Sequence, residues 1–339
     1  MKSPYLLFLG DATELAAAKT AAGILQWRPS LCLGQCRVQG GTIDLGLPDM
    51  SPGQAAAARA QTMVLGIANA GGFIPESWLP VMHAALEAGL DLAAGMHQRL
   101  DELPSIREAA QRLGRTLHDV RQPTRSFAPG SGKKRGGKRL LTVGTDCAVG
   151  KKYTALAIEK AMLDRGANAE FRATGQTGIF ISGRGIAVDS VVADFISGAA
   201  EWLSPDNSPD HWDIIEGQGS LLHPAYAGVT LGLTHGSQPD ALVICHEPIR
   251  THLVGFGHYP VPDLDFCLQA NLAAARLTNP DVVAAGISVN TSRMQADDIK
   301  RVVEAMESKF GLPCCDPVRH GADKIAEYVL SGFSSFSKS

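Results

Sequence analysis

The sequence predicts an α/β protein of two domains, each built on a parallel sheet with crossover helices. At 339 residues the chain exceeds one ordinary domain. Short apolar runs that end in glycine turns alternate with helix-prone stretches, the pattern of parallel sheets with crossover helices. A change of composition near the middle separates two such series. Hydrophobic residues at 45% and charged residues at 19% suit packed cores.

The first series is expected to form a domain over residues 1–122. Tyr5–Leu9 reads as a buried strand that ends in Gly10-Asp11-Ala12-Thr13, and the Ala-rich Glu14–Gly23 as its helix. Thr62–Ala68 is a second apolar run, closed by Asn69-Ala70-Gly71-Gly72. Trp78–Ala88 reads as helix, Leu90–Ala93 as strand and Ile106–Leu117 as helix. The turns at Gly10-Asp11 and Asn69–Gly72 are assigned no cofactor, because glycine turns alone do not specify one.

Residues 123–139 break the pattern. Pro123, Pro129 and the run Ser131-Gly132-Lys133-Lys134-Arg135-Gly136-Gly137-Lys138-Arg139 carry glycine, serine and five basic residues. A solvated linker is expected there. The sharper alternative is a basic flap over an anionic ligand.

The second series is expected over residues 140–335. Leu140–Val143 is a strand, followed by a glycine loop and a helix from about Lys152 to Asp164. Further strands are expected at Ala169–Ala173, Asp213–Ile215, Leu242–Cys245 and Val282–Val289. Helices are expected at Asp189–Leu203, Ala296–Phe310 and Asp323–Leu330.

The strand–loop–helix at Gly144–Lys151 carries the most specific chemistry. Glycines let successive backbone N–H groups face phosphate oxygens, the helix start adds positive potential, and Lys151 adds a charge. Gly144, Thr145, Asp146, Val149, Gly150, Lys151 and Lys152 are the candidate cofactor-binding residues. The usual pattern is G-x-x-x-x-G-K-[S/T]. Here five residues separate Gly144 from Gly150, and Lys152 stands where a Mg²⁺-binding hydroxyl is expected. The longer spacing resembles the loop of dethiobiotin synthetases. Lys152 makes Mg-ATP a less natural guest than another phosphate-bearing ligand. If a metal is needed, Asp146 and Glu216 are its candidate ligands; otherwise none is expected.

Other candidates stand at expected strand ends, where ligands sit in doubly wound sheets. Glu216, in Glu216-Gly217-Gln218-Gly219-Ser220, is a candidate metal or substrate-amine contact. His223, His235, His246, His252 and His258 lie within 36 residues without a zinc spacing. Of these, His223 and His246 are candidate general bases. Gln176, Thr177, Gln218 and Arg250 are candidate substrate contacts, and Arg184 is a further cation for a carboxylate. Cys147 sits in the glycine loop, where a helix start lowers a thiol pKa; packing beneath the loop is its simpler role.

A net charge of −3 gives no field toward nucleic acid or an anionic membrane. No apolar run reaches the about 18 residues of a span. Seven scattered cysteines read as reduced thiols, and the expected location is cytoplasmic.

Several stretches together go beyond a generic phosphate loop: GTDCAVGKKYTAL at Gly144–Leu156, TGQTG at Thr174–Gly178, DFISGA at Asp194–Ala199, EGQGSLLHPAYAGVTLGLTHGS at Glu216–Ser237, and Pro239-Asp240-Ala241 leading to His246-Glu247-Pro248. They resemble a domain-of-unknown-function family, DUF1611, that includes the D-glutamate N-acetyltransferase of a D-glutamate catabolic route. The resemblance spans essentially the whole chain. It implies a Rossmann-like N-terminal domain and a P-loop NTPase-like, doubly wound C-terminal domain. It also implies transfer of acetyl from acetyl-CoA to the amino group of D-glutamate or a similar acidic amino acid. Glu216, His223 and His246 are then the candidate catalytic residues. The expected partners are that small molecule and further copies of the chain, with neither nucleic acid nor membrane. Two alternatives remain open at this point: a Mg-ATP-dependent ligase or kinase, and a nucleotide-binding module without chemistry.

Overall fold

The computed structural model describes residues 1–123 and 125–333. Residue 124, in the expected linker, and residues 334 and 335, at the expected end of the second domain, lie outside the described residues. The chain forms two compact units, Met1–Thr124 with Ile179–Ala187, and Arg125–Gly178 with Val188–Ser339.

The first unit strings together β1 (Tyr5–Gly10), α1 (Lys19–Trp27), β2 (Cys32–Arg37), α2 (Pro52–Ala57), β3 (Thr62–Leu65), α3 (Leu79–Glu87), β4 (Asp91–Ala94), α4 (Pro104–Leu113) and β5 (Leu117–Asp119). The strands form one parallel sheet in the order β2-β1-β3-β4-β5. Every residue of β1, β3 and β4 is buried, as expected of strands covered on both faces. The helix expected from Glu14 begins instead at Lys19. Around that point the backbone serves tertiary bonds: the Ala21 amide donates to Gly66 O, and the Ala68 amide to Ala17 O. The expected helix over Ile106–Leu117 ends at Leu113, where Gly114 adopts a left-handed C-terminal cap. Leu117 then opens β5.

The second unit runs β6 (Lys138–Gly144), α5 (Lys151–Leu163), β7 (Ala169–Arg172), the first three residues of α6 (Gln176–Ser182), whose remainder is counted with the first unit, α7 (Ile196–Leu203), β8 (Trp212–Ile215), α8 (Ala227–Ser237), β9 (Ala241–His246), the hairpin β10 (His252–Leu253) and β11 (Phe256–Pro260), α9 (Leu264–Arg276), β12 (Val283–Val289), α10 (Ala296–Phe310), β13 (Cys314–Cys315) and α11 (Asp323–Leu330). Its six-stranded sheet has the order β13-β12-β9-β6-β8-β7, with every pairing parallel. β6 lies between β8 and β9, so chain connections diverge from it to opposite sides. A doubly wound sheet offers its ligand crevice at that switch point, beyond the strands' carboxyl ends. α10 and α11 occupy the expected spans. Of the helix expected over Asp189–Leu203, only Ile196–Leu203 is α-helical.

The basic stretch is not solvated throughout. Arg139, in β6, is only 1% exposed. Its guanidinium donates to Ser204 Oγ at 2.8 Å and to the Gly136 and Pro205 carbonyls. Arg135 donates to the Gly236 and Ser237 carbonyls at the end of α8. Both side chains thus spend their donors on protein carbonyls and a hydroxyl rather than on solvent. All seven cysteines are free thiols. Among the described residues, no helix is long and apolar enough to cross a membrane.

Candidate active site

Four chain segments meet at the carboxyl edge of the second unit's sheet: the loop after β6, the turn after β7, the turn after β8 and the segment after β9. The loop from Thr145 to Gly150 is held by its own residues and by the β9 segment. Lys151, 7% exposed, turns its Nζ back to the Asp146 carbonyl at 2.8 Å. Burial lowers its pKa below the usual lysine range. Thr145 Oγ1 lies 3.1 Å from His246 Nδ1. Gly150 has φ +107° at the helix start, a conformation that suits glycine.

Asp146 is fully buried. Its Oδ1 accepts from the Cys147 amide at 2.6 Å. Its Oδ2 accepts from Arg250 Nη1 at 2.7 Å and from the Val254 amide, on the β10–β11 turn, at 2.9 Å. Arg250, expected to meet a substrate carboxylate, is thus bound to the loop. It also donates to the Cys147 and Ala148 carbonyls and to Glu247. Its chemistry is that expected of an arginine, but carboxylates and carbonyls of the protein already take its donors.

Glu216 occupies the other side of the crevice. It follows β8 and is 4% exposed. Its Oε2 accepts from the Thr174 amide at 3.0 Å and the Gly175 amide at 3.2 Å. Those amides stabilise the anion, and Lys152 and Lys151 also favour it, yet burial outweighs them and pushes the carboxyl up to about 7. Gly217 admits no side chain, since a Cβ there would stand 1.7 Å from Thr142 O; its amide donates to Thr142 Oγ1 at 2.9 Å. Gln218 Nε2 donates to Thr174 Oγ1 at 3.1 Å. Gln176 and Thr177 open α6 directly after these amides. Asp146 and Glu216, offered as a metal pair, each have their own separate donors instead.

The two histidines differ from a free base. Burial pushes His246 down to about 4, so it is neutral throughout the physiological range and a weak base. His223 is 1% exposed, stacks on Tyr226 at 4.7 Å and receives the edge of Phe256 at 4.9 Å. Its Nδ1 accepts from the Ala225 amide at 3.1 Å, and its Nε2 lies 3.9 Å from Asp146 Oδ1. Burial raises the Cys147 thiol despite Lys151 and Arg250, the reverse of an activated nucleophile. His235 is on α8, and His252 and His258 are on the hairpin, outside the crevice's set of contacts.

Residues 126–326 match the family model described as Domain of unknown function (DUF1611_C) P-loop domain, and residues 35–123 match Domain of unknown function (DUF1611_N) Rossmann-like domain. The chain belongs to the DUF1611 family. It is 52% identical over 325 residues to a D-glutamate N-acetyltransferase of Pseudoalteromonas sp, covering 96% of this chain and 98% of the relative. It is 50% identical over 331 residues to a D-glutamate N-acetyltransferase of Tritonibacter scottomollicae, covering 98% and 99%. A crystal structure of a DUF1611 family protein from Anabaena variabilis superposes with a TM-score of 0.86 at 32% identity, covering 97% of this chain and 100% of that one. The expected family and the expected pair of Rossmann-like and P-loop domains are both borne out.

Within this DUF1611 chain, sequence reasoning missed several residues that shape the crevice. Thr142 anchors one side of the Glu216 turn, opposite Thr174 of the Thr174–Gly178 motif already singled out. Glu247, 2% exposed, binds Arg250 and Arg293. The one available signal was its place directly after His246 at a strand end. Burial, and after it the Glu216 charge, raises the phenol of Tyr153, in the first turn of α5, above the usual range.

Proposed function

We propose that this protein transfers an acetyl group from acetyl-CoA to the amino group of D-glutamate, with Glu216 as general base. What carries the reading is near-full-length identity of about one half to two proteins of that name. The crevice supplies matching chemistry. An amine must lose a proton to attack a thioester, and a carboxyl poised at about 7 accepts one efficiently near neutral pH. Glu216 takes that proton, the N–C bond forms as the C–S bond breaks, and CoA leaves as its thiol.

The donor's phosphates are assigned to the loop from Gly144 to Lys152. Glycine at 144 leaves room for the loop to fold back, since a Cβ there would lie 2.8 Å from Val149 Cγ2, 3.2 Å from Asp146 O and 3.3 Å from Lys151 Nζ. Lys151 exchanges its bond to the Asp146 carbonyl for one to phosphate, and Lys152 adds a second cation where an ATP site keeps a hydroxyl. This chemistry calls for no metal. Gln176, Thr177 and Gln218 are the assigned polar contacts of the amino acid. His223 and His246 are assigned to holding the loop. A cytoplasmic location and self-association complete the reading.

The test is direct. Purified protein is incubated with D-glutamate and acetyl-CoA and free thiol is followed, with Mg-ATP in a parallel sample. Thiol release that depends on D-glutamate supports the proposal. Absence of thiol release across a panel of acidic amino acids, together with ATP turnover, refutes it.

A further inference from the structure

Three successive carbonyls of the phosphate loop are turned to cations. Asp146 O takes Lys151 Nζ at 2.8 Å, Cys147 O takes Arg250 Nη1 at 2.6 Å, and Ala148 O takes Arg250 Nη2 at 3.3 Å. Across a trans peptide the carbonyl and the next amide point in opposite directions. Holding the carbonyls of Cys147 and Ala148 on Arg250 therefore turns the amides of Ala148 and Val149 to the opposite side. Ala148 itself has φ +52°, a left-handed conformation that alanine enters only at a cost. Such a residue within a run of inward-facing amides is what makes an anion-binding nest. The strain must be held by something outside the loop.

Arg250 is built to hold it. It stands 103 residues from Cys147 in sequence and is only 12% exposed at its side chain. Its Nε donates to Glu247 Oε2 at 2.7 Å. Arg293, beyond β12, binds the other oxygen of the same carboxylate. Asp146 Oδ2 and two loop carbonyls take the rest of the guanidinium. The planar fork thus bridges a fixed carboxylate on β9's extension to three points of the loop, which a lysine cannot do.

We infer that Arg250 is a positioning residue: anchored by Glu247, it holds Ala148 in its left-handed conformation and so sets the amides that receive the acyl donor's phosphates. This rests on the assignment of the loop to the donor. It predicts that Arg250 acts on the phosphate end of the donor and not on the amino acid.

The experiment measures CoA and pyrophosphate binding by calorimetry, alongside KM for D-glutamate, in wild type, Arg250→Lys, Arg250→Ala and each of these combined with Ala148→Gly. Both single variants weaken CoA and pyrophosphate binding, Arg250→Ala on the order of a hundredfold, with KM for D-glutamate unchanged. Ala148→Gly, which enters the left-handed region freely, restores part of the affinity in both backgrounds, and added guanidinium restores part of it in Arg250→Ala. Arg250→Lys keeps the charge and the fold, so it carries the test if Arg250→Ala does not fold. Wild-type CoA affinity in Arg250→Lys overturns the inference, and so does a raised D-glutamate KM with CoA binding intact. Wild-type protein that acetylates D-glutamate but binds no pyrophosphate also overturns it, while leaving the transferase reading in place.

Discussion

Gly178 lies so close to Glu216 that a Cβ built on it would stand 2.3 Å from Oε2. No real Cβ makes that contact, so a side chain at 178 displaces the carboxylate from the Thr174 and Gly175 amides. Gly178→Ala is therefore expected to lower kcat by roughly 10- to 100-fold by misplacing the base, with CoA affinity unchanged, because Gly178 stands after β7, outside the Gly144–Lys152 loop. Steady-state kinetics with a parallel CoA titration reads both. A wild-type kcat would mean that the position of Glu216 does not matter to the reaction.

Glu216→Gln removes the base and keeps the volume. It is expected to lower kcat by about 10²- to 10⁴-fold. The pH dependence follows from the carboxyl at about 7. In wild type the basic form is lost as pH falls through 7, so kcat/KM drops on the acid side with that midpoint, and the variant loses the step. Stability moves the other way. The folded pKa lies above the ordinary 4.5, so the carboxyl's contribution is fully present below 4.5 and is lost as pH rises through 7. At about 1.4 kcal/mol for each tenfold change in proton affinity, that loss is on the order of 3 kcal/mol. Thermal melts of both proteins at pH 5 and pH 8 should show the variant gaining stability relative to wild type only at the higher pH.

The phosphate loop was legible because its signal is local: an apolar strand, a glycine turn and a helix in succession. Ala296–Phe310 was legible for the same reason, as one amphipathic run closed by a left-handed Gly311. The Glu216 turn showed a short strand and its glycines, while α8 beyond it went unread because its glycines and its serine and threonine content hide the helix. The role of Arg250 in the loop was not legible because, apart from Glu247 three residues before it, its partners lie 102 to 104 residues away and no local pattern records them. Arg139 was misread as solvated because four other cations surround it in sequence, while Ser204, whose hydroxyl it meets, comes 65 residues later. The β10–β11 hairpin escaped notice because His252–Pro260 mixes glycine, histidine and aromatics without a two-residue alternation. The left-handed Ala148 could not be foreseen at all, since alanine gives no hint of positive φ.

His246 is expected to act on stability rather than on the pH–rate profile. Burial holds it near 4, below the ordinary 6.5. Its contribution is therefore present above 6.5 and is lost as pH falls toward and through 4, when the buried ring must take a proton. His246→Gln retains a polar partner for Thr145 and has no such proton to accept. Melting temperatures followed from pH 7 down to pH 4 should fall less steeply in the variant, and its kcat/KM profile above pH 6 should keep the wild-type shape. An acid limb that shifts or disappears in His246→Gln would make the ring a proton carrier in the reaction.

Chelators are expected to leave the acetyl transfer intact. Donor atoms of Asp146, Cys147 and His223 lie within 4.8 Å of one another, a spacing a metal ion could bridge. Ligation by Nε2 requires a lone pair there and a hydrogen on Nδ1, which a ligating histidine normally donates to an acceptor. Nδ1 of His223 instead accepts from the Ala225 amide at 3.1 Å, so the neutral ring carries its hydrogen on Nε2. Asp146 is also already paired with Arg250, whose guanidinium would oppose a second cation. Activity before and after dialysis against a chelator, with elemental analysis of the protein, checks this. Stoichiometric zinc whose removal abolishes activity, and whose return restores it, would require the His223 ring to turn away from Ala225 and would reassign Asp146, Cys147 and His223 as ligands.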